Sequence, residues 1–207
     1  MKRPKAQTSE GKTPALGDAQ ARALLDAPAD TLKGKRDRAI LSVLLYHALR
    51  REELTKLPVK DFSEERRGVA HLRVQGKGGK LRYLPAHAHS LGLVAEYLAA
   101  SGHGQELEGP LFRRIRAPRA GQAPCAPTPG SVYADVVVRY MTQVGISGDN
   151  MGPHALRATA ATSALEHQAD IAKVQEWLSH ASIGTTRVYD RRGFRPEDSP
   201  TFKVAYG

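Results

Sequence analysis

A chain of 207 residues suits one good-sized domain, long enough to bury a core without disulfides or metal. Its 31 Lys and Arg against 21 Asp and Glu leave a formal net charge of +10, which favours a polyanionic partner, either nucleic acid or an anionic membrane surface. No apolar run approaches the ~20 residues that cross a bilayer, and the single cysteine, Cys125, can close neither an internal disulfide nor a cysteine-based zinc cage. A reducing cytoplasm is therefore the expected setting. Residues Met1 to Thr13 are basic and polar, lack the apolar stretch of a signal peptide, and read as a disordered tail. A helix is expected from Asp18 to Asp26, with Asp18 as N-cap and Leu24 and Leu25 facing inward. A stronger helix follows from Lys35 to Leu49; its apolar residues (Ile40, Leu41, Val43, Leu44, Leu45, Ala48) cover more than half the circumference and place it deep in the core. Arg51 to Leu57 continues as a short helix that Pro58 stops.

From Val69 the period changes to two. Ala70, Leu72 and Val74 alternate with polar residues, Gly76 to Gly79 make a turn, and Leu81 to Leu84 alternate again as the return strand. Helices resume at Ser90 to Ala100. A polar, Pro-rich stretch from Ser101 to Pro129 reads as irregular, and helices follow at Ser131 to Val144, Pro153 to Glu166 and Asp170 to Leu178. There is no internal repeat. The fold class is α+β, mainly helical, with one small antiparallel β-sheet.

In Gly152-Pro153-His154-Ala155-Leu156-Arg157, proline fits the first helical position and glycine can precede it. His154 and Arg157, at i and i+3, then project from one face beside a helix N-terminus, a setting that suits a phosphate. Each such residue also has an ordinary explanation. His154 could cap the helix, His180 could favour a helix C-terminus, Arg50 could answer the dipole of the apolar helix, Lys77 could be a solvated lysine on a turn, and Tyr189 a half-buried surface tyrosine. Singly none is persuasive; their order and settings are.

The segments A-L-R-R-E-E-L (Ala48 to Leu54), G-K-G-G-K (Gly76 to Lys80), H-A-L-R (His154 to Arg157), L-S-H (Leu178 to His180) and T-T-R-V-Y (Thr185 to Tyr189) resemble the tyrosine site-specific recombinase and integrase family. That family's motifs look like G-L-R-x-x-E-L, G-K-G-x-K on a hairpin, H-x-x-R, and L-G-H followed by a tyrosine at the spacing that separates His180 from Tyr189. The likeness runs from about Pro14 to Tyr189. Ala48 and Ser179 stand where the family has glycine. Nothing before Pro14 resembles the family's N-terminal core-binding domain, so the chain reads as an isolated catalytic domain or a short form. Residues 1–13 form the tail and 14–198 the catalytic domain; 199–207, with Phe202, Val204 and Tyr206 on one side, form an added strand or a segment exchanged between subunits.

What the resemblance implies is strand cutting and rejoining through a 3′-phosphotyrosyl intermediate. Tyr189 would be the nucleophile, His154 the general base, Arg50 and Arg157 the clamp on the non-bridging oxygens, and Lys77 the acid for the departing 5′-oxygen, with Lys80 competing for that role. His180 would donate to the phosphate and Glu53 would support Arg50 from behind. No metal or other cofactor is implied. The partners implied are double-stranded DNA and further copies of the chain, a tetramer on DNA, with a monomeric free form left open; no membrane is implied. Arg113, Arg114, Arg116, Arg119, Arg139, Arg187, Arg191 and Arg192 are expected to meet the DNA backbone. The competing readings are a type IB topoisomerase, a non-catalytic DNA-binding module, and a basic structural protein.

Overall fold

The computed structural model describes residues 14–115 and 124–191. The expected tails at 1–13 and 199–207 lie outside the described residues, as do Arg116, Arg119 and Arg192. The chain divides into two compact units, one covering Lys12–Ala160 and the other carrying the chain from Ala161 onward.

In the first unit, α1 (Asp18–Asp26) has the expected bounds, and Leu24 and Leu25 are buried. Its N-cap is Gly17, not Asp18: the Gly17 N–H donates to Gln20 Oε1 at 3.1 Å, so the glutamine side chain closes the first turn. The core helix α2 (Leu32–His47) begins three residues earlier than the apolar pattern suggests, because Thr31 caps it by accepting the Gly34 N–H at 3.1 Å. It stops at His47, and Ala48 turns into the left-handed region at φ 51°. Ile40, Leu41, Val43 and Leu44 are fully buried, as are Val94 and Tyr97 of α4 (Ala88–Ser101), on which α2 packs. One buried charge is built into this core. Asp37 accepts from Arg36 Nη2 at 2.6 Å, Lys33 Nζ at 2.5 Å and Tyr140 Oη at 3.0 Å. Burial, with the Asp37 charge adding to it, pushes the Tyr140 phenol up to about 12.

Helix α3 is shorter than expected, Arg51–Leu54 only. Pro58 does not stop it. The chain has already left the helix at Thr55, and Pro58 instead bridges Pro110, with the Val59 N–H donating to Gly109 O and the Leu111 N–H to Leu57 O. Residues 102–115, after α4, are irregular, yet these bonds fasten them down and bury His103, Leu111 and Phe112.

Among the described residues the sheet has three antiparallel strands in the order β1 (Glu64–Arg66), β2 (Val69–Gln75), β3 (Leu81–Pro85). Opposite pairs include Glu64 with His71, Leu72 with Leu84 and Val74 with Arg82. A tight turn at Lys77–Gly79, with Gly78 at φ 74°, joins β2 to β3. The single helix expected from Ser131 to Val144 is three pieces in succession. These are α5 (Pro129–Ser131), a π-helical segment (Val132–Val138) whose ring is one residue wider than an α-turn, and α6 (Arg139–Gln143).

Helix α7 (Pro153–Glu166) has the expected bounds, and the division between units falls within it. In the second unit Asp170 caps α8 (Ile171–Leu178) by accepting the N–H groups of Ala172 and Lys173 at 2.9 and 3.0 Å. A further short helix, α9 (Ile183–Arg187), follows Ser182. Among the described residues no helix is long and apolar enough to cross a membrane.

Candidate active site

Two of the candidate residues, Arg50 and Arg157, come from distant parts of the sequence to one turn of the first unit. Arg157, from the second turn of α7, is 3% exposed, and its Nη1 donates to the carbonyl of Ala48. That carbonyl belongs to the left-handed turn ending α2, two residues before Arg50. Arg50 is the N-cap of α3 and stays a third exposed. Glu53 holds it twice: the Arg50 backbone N–H donates to Oε2 at 2.9 Å and the guanidinium Nη1 to Oε1 at 3.2 Å.

His154, exposed in the first turn of α7, lies near the start of α3. Its charge is one of the influences on Glu52. Burial pushes that carboxyl up, but Arg51, the local backbone and His154 together outweigh it and leave it below the usual carboxylate range. Tyr133, on the π-helical segment, joins the same two helix starts. The Arg51 guanidinium lies 5.9 Å from its ring centre, and the ring covers Gly152 so closely that an added Cβ would stand 3.0 Å from Tyr133 Cε2. A side chain at 152 would therefore need this exposed ring to shift by a few tenths of an ångström. Lys77 sits in the tight turn between β2 and β3, and Lys80 is exposed at its far end.

The second unit gathers His180, Thr186 and Tyr189. Ser179 takes the left-handed region at φ 53° and ends α8. The His180 N–H then donates to Gln175 O at 3.0 Å, while Gln175 Nε2 donates back to His180 O at 3.1 Å. His180 Nδ1 and Thr186 Oγ1 share a hydrogen bond of 3.0 Å whose direction follows the imidazole tautomer. The imidazole and the Tyr189 ring are 6.0 Å apart between centres, tilted by 32°. The Tyr189 N–H donates to Thr186 O at 3.0 Å, and the tyrosine is 5% exposed.

Sequence reasoning missed three participants: Arg82, which donates to Glu53 Oε2 at 2.8 Å, Thr186 and Tyr133. Their signal is weak, because an arginine in a strand, a threonine within the tyrosine motif and an aromatic in a helix each have commonplace explanations. Among the described residues no three metal-ligating side chains converge.

Residues 15–194 match the phage integrase family. The chain belongs to that family. A tyrosine recombinase XerC of Pelobacter propionicus is 36% identical over 171 residues, covering 82% of this chain and 52% of its own length. A tyrosine recombinase XerD of Xanthomonas campestris pv. campestris is 36% identical over 184 residues, 84% of this chain and 54% of its own. Among solved structures, the XerH site-specific recombinase bound to palindromic difH substrate in a post-cleavage complex is similar over 86% of this chain and 49% of that one, with a TM-score of 0.68 and 26% identity. The mainly helical architecture with a small antiparallel sheet is therefore that of the integrase family's catalytic domains. The chain spans about half the length of the curated relatives it matches.

Proposed function

We propose that this phage integrase family chain is a catalytic domain, within residues 14–198, that cuts and rejoins double-stranded DNA at specific sites. The observation that carries the reading is the joining of Arg157 to the Ala48 carbonyl beside Arg50, which holds two permanent cations from distant sequence positions at one turn. Two guanidinium groups so placed suit the two non-bridging oxygens of a phosphodiester, and their hydrogen bonds strengthen as charge builds in the transition state.

In this reading Tyr189 Oη attacks the scissile phosphorus, the P–O5′ bond breaks, and a 3′-phosphotyrosyl link remains. The covalent link retains the bond energy, so the reverse attack by a 5′-hydroxyl rejoins the strand without ATP. A phenol near pKa 10 must lose its proton as it attacks, and the exposed His154 accepts it. Lys77 protonates the departing 5′-oxygen, from a turn whose glycines allow close approach to DNA. His180 donates to the phosphate and Glu53 supports Arg50. The arginines and the lysine supply the positive charge that metal ions give in two-metal nucleases. The domain works in the cytoplasm as a homo-oligomer, a tetramer on DNA.

Wild type and Tyr189→Phe should be incubated with plasmid DNA in EDTA, denatured, and examined for DNA covalently attached to protein. Wild type is expected to form the adduct and the variant none. An adduct with both would remove Tyr189 as the nucleophile, and an absolute need for Mg²⁺ would overturn the metal-free scheme.

A further inference from the structure

The core-facing side of the β2–β3 hairpin carries one charge. Leu72, Val74 and Leu84 on that face are at most 4% exposed, and Arg82, opposite Val74 in register, shares it with its side chain 14% exposed. Glu53, itself 5% exposed, receives it. Oε2 of Glu53 accepts both the Arg50 backbone N–H at 2.9 Å and Arg82 Nη2 at 2.8 Å, while Oε1 accepts Arg50 Nη1 at 3.2 Å. The hairpin end closes on the same carboxylate: a Cβ at Gly76 would stand 3.9 Å from Glu53 Oε1 and 3.3 Å from the Lys80 carbonyl. One buried carboxylate thus touches the N-cap of α3, the Arg50 guanidinium and the strand leading out of the Lys77 turn.

We infer that Arg82 is a positioning residue of this site: through Glu53 it fixes the Arg50 guanidinium and pins the Lys77 turn beside it. The inference rests on reading Arg50 as the phosphate clamp. Two physical effects support it. A carboxylate bonded to Arg50 alone can rotate and hold the guanidinium in more than one way; donors on both oxygens from two elements leave one arrangement. A carboxylate neutralised by Arg50 alone would also compete with the phosphate for that arginine. With Arg82 in place the Glu53 charge is answered from behind, so the Arg50–Glu53–Arg82 group keeps a net charge of one cation for the anion.

The test uses inorganic tungstate, a phosphate-sized oxyanion, titrated calorimetrically in excess sodium chloride into wild type, Arg82→Met, Arg82→Lys and Arg50→Gln. Amide hydrogen exchange is measured on the same four proteins. Arg82→Met is expected to bind tungstate about tenfold more weakly, close to Arg50→Gln. Its exchange should quicken at the amides of Gly76 and Arg50 while α2 stays as protected as in wild type, so the loss is local. Arg82→Lys keeps the charge without the planar fork and should fall between, about threefold weaker; it carries the test should Arg82→Met not fold. Unchanged tungstate binding and exchange in the Arg82 variants, alongside loss in Arg50→Gln, would overturn the inference and leave the clamp reading standing. Wild-type binding in Arg50→Gln would overturn the clamp reading itself, and the inference with it.

Discussion

Ala48 and Ser179 both occupy left-handed backbone, at φ 51° and 53°. The preference for glycine there follows from the clash a Cβ makes in that region. The two positions differ in what the side chain gains. Ser179 is exposed, so Ser179→Gly loses no buried packing, and the strain it relieves is expected to raise stability by roughly 0.5–1 kcal/mol. Ala48 is fully buried, and the packing its methyl provides offsets the relief. Urea denaturation of Ser179→Gly checks this; a midpoint at or below wild type would contradict it. His47 makes the pH-dependent case. Burial, the largest cause, lowers its pKa from 6.5 to about 4; the His87 charge adds to this and the Val43 carbonyl opposes it. Its Nε2 accepts the His87 N–H at 3.1 Å, a bond that needs the ring nitrogen unprotonated. Below pH 6.5 the unfolded chain takes up a proton at this histidine that the native chain refuses until about pH 4. The unfolded state therefore binds more protons across that window, and stability is lost as pH falls through it, by on the order of 3 kcal/mol at this one site. His47→Gln, which keeps an acceptor, should flatten the stability profile between those pH values; an unchanged profile would show that other groups dominate.

At the scale of elements, the hairpin was legible because its apolar residues alternate with a period of two, α2 because it is apolar round most of its circumference, and α7 because Gly152 and Pro153 mark its start. What was not legible lacks a period. Strand β1 is Glu-Glu-Arg with no apolar alternation; it pairs with β2 because Arg67 and Gly68, at φ 54° and 76°, form a two-residue turn with both residues left-handed. Helix α9 has five residues, too few to show a face, and nothing in Val132–Val138 marks the wider π ring. The early start of α2 was hidden by Gly34, which looks like a helix breaker. Its reason is a close approach: a Cβ there would stand 1.8 Å from the Ala29 carbonyl oxygen, a backbone atom that cannot yield. Gly34→Ala is therefore expected to destabilise by about 3 kcal/mol or more, or to unwind the first turn of α2. A melting temperature within a degree or two of wild type, with the α2 amides still protected, would refute the close approach.

For the molecule as a whole, the candidate site was legible where chemistry-bearing residue types recur at fixed local spacing, as in His154 with Arg157 or His180 with Tyr189. It was not legible where the chain folds back on itself. That Arg82 meets Glu53, or that Arg157 meets the Ala48 carbonyl, depends on pairings no local spacing encodes. The same holds for the basic surface. A net charge of +10 predicts binding to duplex DNA of any sequence, with affinity set by counterion release. About six phosphate contacts would lose on the order of a thousandfold in affinity between about 50 and 200 mM salt. Sequence treats the adjacent Arg113 and Arg114 alike, and the fold separates them. Arg113 spends its guanidinium on Glu106, with Nη1 at 3.1 Å from Oε1, and its side chain is 15% exposed. Arg114 is exposed. Measured against a random-sequence duplex over a salt series, Arg114→Gln should reduce the log–log slope by about 0.9, the loss of one phosphate contact, and Arg113→Gln should leave it nearly unchanged. Equal slopes in the two variants would mean that the Glu106 pair opens on DNA. A wild-type affinity indifferent to salt would remove backbone charge as the basis of binding altogether.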